Sequence, residues 1–135
     1  MPTLGVNFTK MELTKTGQVT GKINIQNNVL ITDVEKSELA IGEQKHPLLK
    51  VKFLFTVVYE PKVARMNLEG ELLSVENLDE IDSLVKQWQK DKKLPKESMA
   101  GLLASVIEKA NIEALILSRE LGLPPPVQLP RVHLK

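Results

Sequence analysis

The segment from Pro95 to Lys135 constrains this chain most, because it combines a long apolar helix with a proline-rich exit. Pro95 suits the first position of a helix, where the N–H that proline lacks would be unpaired anyway. Gly122 suits the position just after a helix, and the run Pro124-Pro125-Pro126 prevents continuation. The sequence therefore predicts one helix from Pro95 to about Gly122, which is long for a domain of this size.

The apolar residues of this helix do not form a single stripe. Most of them step by three or four positions and predict one core-facing side: Met99, Leu103, Val106, Ala110, Ala114, Leu117 and Leu121. Ile112, Leu115 and Ile116 point away from that side at about 100° per residue. Such a helix needs cover on more than one side, which favours a second layer, a partner subunit or a client.

Two strands are predicted at the start of the chain. The first spans Gly5 to about Leu13, and the short connection from Thr14 to Gly21 predicts an antiparallel hairpin with the second. The second strand runs from Val19 to about Lys36, with a bend or bulge at Asn27-Asn28, where the apolar alternation is interrupted. The polar stretch from Ser37 to Pro47 predicts a loop or a frayed strand end.

The third strand gives the clearest pattern in the sequence. One face carries Val51, Phe53, Phe55, Val57 and Tyr59. Leu54 and Val58 interrupt the opposite face, which is otherwise mainly polar, so that face need not be fully solvated. A turn at Pro61-Lys62 and an alternating segment from Ala64 to Leu72 predict a hairpin with a fourth strand.

A shorter helix separates the strands from the long helix. Asn77 can cap its start and Glu80 can return the bond, after which the helical period continues to about Lys92. Four antiparallel strands followed by two helices predict an α+β fold, with both helices packed on one face of a single sheet. At 135 residues we expect a single domain covering positions 1–135.

The charge balance and the residue types argue against several classes of function. Eighteen basic and seventeen acidic residues leave a net charge of +1, so no strong field attracts nucleic acid or anionic membrane. Cysteine is absent, and the two histidines, His46 and His133, form no zinc motif and are expected at the surface. No phosphate-loop, dinucleotide or nucleophile-elbow motif occurs. We therefore predict a non-enzyme without metal or cofactor.

The chain contains neither a signal-peptide pattern nor an apolar run long enough to span a membrane. We therefore expect a cytoplasmic protein with no membrane partner. The surplus of apolar residues that a two-layer domain would leave exposed favours self-association, and a groove for a client is compatible with it.

A basic patch keeps a second function open. Lys86, Lys90, Lys92, Lys93 and Lys96 surround Trp88, as in a non-enzymatic module that binds nucleic acid or a small ligand. The helix dipole explains the same charges, because acidic residues open this helix and lysines close it. Steep salt dependence of binding would support the module. A third alternative, a hydrolase, would use Glu113, at the edge of the apolar stripe, as a perturbed carboxylate.

Three segments resemble the SecB family of export chaperones: KINIQNNVLITDVEK, VKFLFTVVYEPKVARMNLEGELLSV and SVIEKANIEALILSRELGLPPPVQLPRVHL. The last is similar to the family's long helix and the extended, proline-containing stretch after it, at Gly122, Leu123, Pro124, Leu129, Pro130 and Val132. The resemblance covers most of the chain from about Gly21. The chain differs from the acidic bacterial members in its net charge and in its short connection from Thr14 to Gly21.

The resemblance implies a four-stranded antiparallel sheet, a long helix at a dimer seam, and dimers that pair into a tetramer. It also implies a holding chaperone that binds non-native polypeptides in apolar grooves without ATP, for export or to protect an antitoxin. The apolar surplus then predicts client contacts at Leu54, Val58, Ile112 and Ile116, and subunit packing at Leu115 and Leu117.

Overall fold

The computed structural model describes residues 3–19 and 21–126 and has six elements in chain order. These are β1 (Thr3–Lys15), β2 (Asn24–Ile41), β3 (Gln44–Glu60), β4 (Ala64–Val75), α1 (Leu78–Asp91) and α2 (Lys96–Glu120). The strands form one antiparallel sheet in the order β1-β4-β3-β2, and both helices pack on one face of it. The predicted α+β fold is confirmed. The predictions for Leu129, Pro130, Val132 and His133 concern positions outside the described residues.

The predicted hairpin between the first two strands is wrong. β1 pairs with β4 and β2 pairs with β3, so β1 and β2 lie at opposite edges of the sheet. The connection between them is fixed to the turn between β3 and β4 instead. The N–H groups of Thr16 and Gly17 both donate to the Val63 carbonyl, at 2.9 and 3.1 Å, and the Thr16 hydroxyl donates to the Lys62 carbonyl at 2.8 Å.

The prediction of a loop or a frayed strand end from Ser37 to Pro47 is also wrong, because β2 and β3 continue through this stretch as a hairpin. Ile41 pairs with Gln44 across a two-residue turn in which Gly42 has a φ of 63°, as a tight hairpin turn requires. His46 is exposed in β3 rather than in a loop. Ile41 is 59% exposed, so this end of the hairpin is held by backbone pairing without a buried apolar row.

The irregularity in β2 lies between Ile31 and Asp33, not at Asn27-Asn28 as predicted. Pairing with β3 is continuous from Asn24 to Ile31. Asn27 interrupts the apolar row for a different reason, because its side chain makes a hydrogen bond on the helix-covered face, described below.

The core lies between the helices and the inner face of the sheet. The predicted row of β3 is buried in full: Val51, Phe53, Phe55, Val57 and Tyr59. One core cluster joins β2 and β3 to Ile81, Leu84 and Trp88 of α1, and also contains Leu102 and Val106 of α2. A second joins β3 and β4 to Ala110 and Ala114 of α2. The small alanines let the second half of α2 approach the sheet closely.

The helix limits follow the predicted signals to within two residues. The Asn77 side chain accepts a hydrogen bond from the Glu80 N–H at 2.8 Å and caps α1. Pro95 precedes α2 as its cap residue, and its carbonyl accepts the first helical bond from Met99. At the other end Gly122, with a φ of 62°, and Leu123 donate back to the carbonyls of Arg119 and Ser118 and close the helix.

Candidate functional site

A cleft runs between the edge strand β1 and the helix α2. It has a volume of about 570 Å³ and is lined by Leu4, Gly5, Val6, Phe8, Ser105, Glu108, Lys109, Ile112 and Glu113. The strand contributes its inner, apolar row, and the helix contributes one isoleucine among polar side chains. We name this the β1–α2 cleft. It combines an apolar floor with a polar rim, which is the composition of surfaces that bind extended polypeptide.

Exposed apolar side chains lie in and beside the β1–α2 cleft. Leu4 and Ile112, on its two walls, are 52% exposed. Ile116 lies one turn beyond Ile112 on the same side of α2 and is 43% exposed. Met11 lies on β1 opposite the buried Leu68 and is 42% exposed. An apolar surface of this kind on a helix and an adjacent strand is a site where another polypeptide can bury area.

The unpaired edge of β1 adds backbone groups to this surface. β1 is bonded to β4 on one side only, and within the described residues no strand pairs with the other side. Half of its N–H and C=O groups therefore face away from the sheet over a strand of thirteen residues. An extended segment in the cleft could pair with them as an added strand.

A second, smaller cleft lies on the other flank of α2. It has a volume of about 140 Å³ and is lined by Asn27, Asn28, Val29, Phe55, Ile107 and Asn111. We name it the α2–β2 cleft. Ile107 is 37% exposed at its rim, whereas Phe55 is buried. The long helix thus has an exposed isoleucine on each flank, which agrees with the prediction that it needs cover on more than one side.

The segment after α2, residues 121–126, crosses the inner face of the sheet from β1 to β2. Three side chains hold it through its backbone carbonyls: Lys15 donates to Leu121 at 2.9 Å, Tyr59 to Pro124 at 2.8 Å, and Asn27 to Pro126 at 3.1 Å. We call this segment the strap. Leu123 packs into the second core cluster. The sequence pattern predicts Asn27 at an interruption of β2 and Tyr59 in the core row of β3, and it assigns neither residue to a site.

The predicted client residues do not lie on one surface. Ile112 lines the β1–α2 cleft and Ile116 lies next to it. Leu54 and Val58 lie on the outer face of the sheet, which the helices do not cover, and are half-buried among their neighbours. The sheet therefore separates the two pairs. Neither the β1–α2 cleft nor the α2–β2 cleft is lined by Leu54 or Val58.

The outer face of the sheet is largely charged. Lys52 pairs with Glu35 at 3.3 Å and Lys50 with Glu71 at 3.8 Å, both across neighbouring strands. Leu54 lies between Leu30 on β2, 55% exposed, and Glu69 on β4. The apolar part of this face is therefore a small island among ion pairs.

The two residues predicted for subunit packing lie on α2. Leu115 and Leu117 are both half-buried. Leu117 packs against the second core cluster within the chain.

The basic patch loses its aromatic component in the structure. Trp88 is buried in the first core cluster, so its ring cannot stack on a nucleic-acid base. The Lys92 ammonium lies 5.8 Å from the centre of the ring, a cation–π distance that gives this lysine a structural partner.

Burial raises the pKa values of Tyr59 and Glu76. Burial raises the pKa of Tyr59 to about 12, so its hydroxyl stays protonated and remains a donor to the strap at neutral pH. Burial, followed by the neighbouring Glu80 carboxylate, raises the pKa of Glu76 at the junction of β4 and α1. In the part of the chain that is described, no three histidine or acidic side chains converge as a metal site.

Among the described residues, 3–19 and 21–126, no helix is both long and apolar enough to cross a bilayer.

Glu113, the carboxylate of the hydrolase alternative, lines the rim of the β1–α2 cleft.

Neither a protein-family model nor a curated protein sequence matches the chain. Among solved structures, the chain is similar to the SecB-like chaperone Rv1957 of Mycobacterium tuberculosis, in complex with a ChAD peptide from the Rv1956 HigA1 antitoxin. The two share 12% sequence identity with a TM-score of 0.56, over 97% of this chain and 88% of the other. This likeness establishes a shared SecB-like fold.

Proposed function

We propose that this protein is an ATP-independent holding chaperone that binds non-native polypeptide along the flanks of α2. The observation that carries the proposal is the β1–α2 cleft, in which exposed apolar side chains lie beside an unpaired strand edge. The shared fold supports it, because the SecB-like neighbour was determined with an antitoxin peptide.

Binding would combine two contributions that tolerate many client sequences. Apolar client side chains would bury against Ile112 and Ile116, at about 25 cal/mol per Å² of apolar surface removed from water. The client backbone would pair with the edge of β1. Neither contribution reads a defined sequence or needs nucleotide hydrolysis, which suits a protein that holds unfolded chains. Leu54 and Val58 would provide a separate contact on the outer face.

We further propose that the protein is cytoplasmic and self-associates into dimers, or dimers of dimers, through α2. Leu115 and Leu117 are the proposed interface residues. Export precursors and an antitoxin are the two proposed classes of client. Co-expression with each class distinguishes them, because a holding chaperone keeps its own client soluble.

The test is light scattering of the purified protein, alone and with a reduced, permanently unfolded polypeptide, at low and at high salt. Capture of the polypeptide at both salt concentrations supports the proposal, because apolar binding does not weaken with salt as phosphate or charge contacts do. Loss of capture at high salt would favour a charged-ligand module. A folded protein that ignores the polypeptide at both salts would refute the holding function.

A matched pair of variants locates the binding surface. Ile112→Asp places a charge in the β1–α2 cleft and should weaken capture about tenfold. Leu78→Asp introduces the same charge at a residue of similar exposure at the start of α1, where a negative charge is favourable, and this residue lines neither of the two clefts named above. It should leave capture unchanged. Equal effects of both substitutions would argue against the cleft.

A further inference from the structure

The strap has the sequence of a polyproline ligand, with three consecutive prolines at positions 124–126. Each residue that precedes a proline is confined to extended conformations, and proline fixes its own φ near −65°, so residues 123–125 favour a polyproline helix. Such a helix has three residues per turn. Leu123 and Pro126, three positions apart, are both buried, whereas Pro125 between them is exposed. This burial at positions three apart is the pattern expected when one face of a polyproline segment packs on the sheet.

Side chains of the sheet donate hydrogen bonds to the backbone carbonyls of the strap, which are the polar groups that a proline segment offers. Proline has no N–H and offers only its carbonyl. Tyr59 from β3 donates to the Pro124 carbonyl at 2.8 Å. Asn27 from β2 donates to the Pro126 carbonyl, two residues further along the strap, at 3.1 Å. Aromatic and amide donors that read the carbonyls of an extended proline segment are a recurring mode of peptide recognition.

The strap also lies between two clefts along β2. On one side is the α2–β2 cleft at Asn27, Asn28 and Val29. On the other side, at the end of the sheet, is a cleft of about 370 Å³ lined by Lys22, Ile23, Asn24, Glu60 and Pro61. Asn27 lines the first of these clefts, and Tyr59, paired with Ile25, lies one ladder position from the Asn24–Glu60 pair of the second. The strap's two contacts on the sheet therefore lie beside both clefts.

We propose that Tyr59 and Asn27 form a binding site for extended, proline-containing segments of client polypeptides, and that the strap is the resident ligand such segments displace. This inference rests on the proposed holding function and names a class of client segment for it. Because the strap is tethered, it competes at a high effective concentration. A client segment therefore gains access when the strap is weakened or when the client also binds elsewhere on the chain.

The test uses the full chain and a fluorescent peptide, LGLPPP, that copies residues 121–126. Pro125→Gly removes an exposed proline and increases the conformational freedom of the strap without deleting a buried contact. Fluorescence anisotropy should show the peptide binding roughly threefold or more tightly to this variant than to the unsubstituted protein. Leu123→Ser removes the buried anchor and should increase binding by about tenfold or more.

Substitutions in the site itself should have the opposite effect. Added to Leu123→Ser, in which the strap has lost its buried anchor and competes least, Tyr59→Phe keeps the ring, removes the donor and should weaken peptide binding about fivefold. Asn27→Ala should do the same, whereas Asn28→Ala, a neighbour that donates nothing to the strap in the described structure, should not. The peptide LGLAAA, which lacks the polyproline constraint, should bind more weakly than LGLPPP.

A second readout does not depend on the peptide. The chain contains one tyrosine, so absorbance at 295 nm follows Tyr59 alone. Because burial raises this pKa to about 12, the pKa should be lower in Leu123→Ser, whose strap has lost its buried anchor, and should rise again when LGLPPP is added. A folded Leu123→Ser protein that binds the peptide no better than the unsubstituted protein, or whose peptide binding is unchanged by Tyr59→Phe, would overturn the inference.

Failure of this inference can be told apart from failure of the holding function. If the unsubstituted protein captures unfolded polypeptide but LGLPPP binds none of the variants more tightly than the unsubstituted protein, the holding function stands and the strap site is refuted. If LGLPPP binds with the expected dependence on Tyr59 and Asn27 but no unfolded polypeptide is captured, the site stands and the holding function is refuted.

Discussion

At the scale of single residues, Gly70 on β4 shows how little room the inner face leaves. It pairs with Phe8 on one side and Phe53 on the other, and the two rings meet edge to face with centroids 5.9 Å apart. A Cβ at this position would lie 2.6 Å from the Asn7 carbonyl oxygen and 2.8 Å from the Phe53 ring. The aromatic pair therefore covers a site that only glycine can occupy.

Gly70→Ala should destabilise the protein by about 1–3 kcal/mol, because a backbone carbonyl and a core ring must both move. Gly101→Ala is the matched control. Gly101 is exposed within α2 with open space around its Cβ position, so alanine should stabilise by about 1 kcal/mol through helix propensity. Urea unfolding followed by circular dichroism measures both. Equal stability of the two variants would contradict the close approach of the Asn7 carbonyl and the Phe53 ring to Gly70.

Glu76 provides the pH-dependent prediction at this scale. Burial and the Glu80 carboxylate raise the folded-state pKa of Glu76, so the folded protein holds this proton more tightly than the unfolded chain does. The ionised group therefore opposes folding at neutral pH, and that cost disappears as pH falls below the unfolded value of 4.5. Glu76→Gln should raise the melting temperature at pH 7 and lose this advantage near pH 4.

The control for Glu76→Gln is Glu43→Gln, in the exposed turn between β2 and β3. It should leave the melting temperature nearly unchanged at both pH values. A gain for Glu76→Gln that is as large at pH 4 as at pH 7 would contradict the proposed cause, because protonation would then play no part in it.

At the scale of elements, the start of α1 is decided by one side chain. The Asn77 side-chain oxygen accepts from the Glu80 N–H, and the acidic residues Asp79 and Glu80 follow in the first turn. Asn77→Ala should lower the free energy of unfolding by about 1 kcal/mol, since an N–H at the helix start loses its acceptor. Asn77→Asp keeps the acceptor and should cost much less. Thermal unfolding distinguishes them, and equal losses would show that the cap contributes nothing.

The helix α2 shows how far periodicity predicts an element's surroundings. Its core stripe is centred on Leu102, Val106, Ala110, Ala114 and Ser118. Three of these five residues belong to the predicted stripe, whereas Leu102 and Ser118 do not. Ser118 is tolerated in the core because its hydroxyl donates to the Leu115 carbonyl at 2.7 Å within the same helix. Apolar periodicity cannot identify such a core residue, because the residue is polar and its hydroxyl is hydrogen-bonded within its own helix.

At the scale of the whole molecule, the sheet divides the predicted client residues between two faces. Ile112 belongs to the helix-covered side and Leu54 to the outer side. Ile112→Asp and Leu54→Asp share no neighbours, so their effects on client capture should add. If each costs about tenfold, the double variant should lose about a hundredfold. Light-scattering titrations of the two single variants and the double variant measure this. A double variant no worse than either single one would indicate that both residues serve one contact.

Part of the candidate site could be predicted from the sequence. Ile112 and Ile116 follow from helical periodicity, because their angular position off the core stripe is a local property of α2. The opposite wall of the cleft, Leu4, Val6 and Phe8, could not be predicted while β1 was expected to pair with β2. The strap was missed because its bonds join residues far apart in the chain, as between Asn27 and Pro126.

The sequence by itself determined the elements and their inward faces: the buried row of β3, the capped start of α1, and both ends of α2. Each depends on residues within a few positions of one another, where propensity, capping and periodicity act. Only the tertiary structure decided the strand order, the length of the β2–β3 hairpin and the path of the strap. These depend on backbone pairing and on side-chain-to-carbonyl bonds between distant segments, and such contacts leave no periodic pattern in the chain.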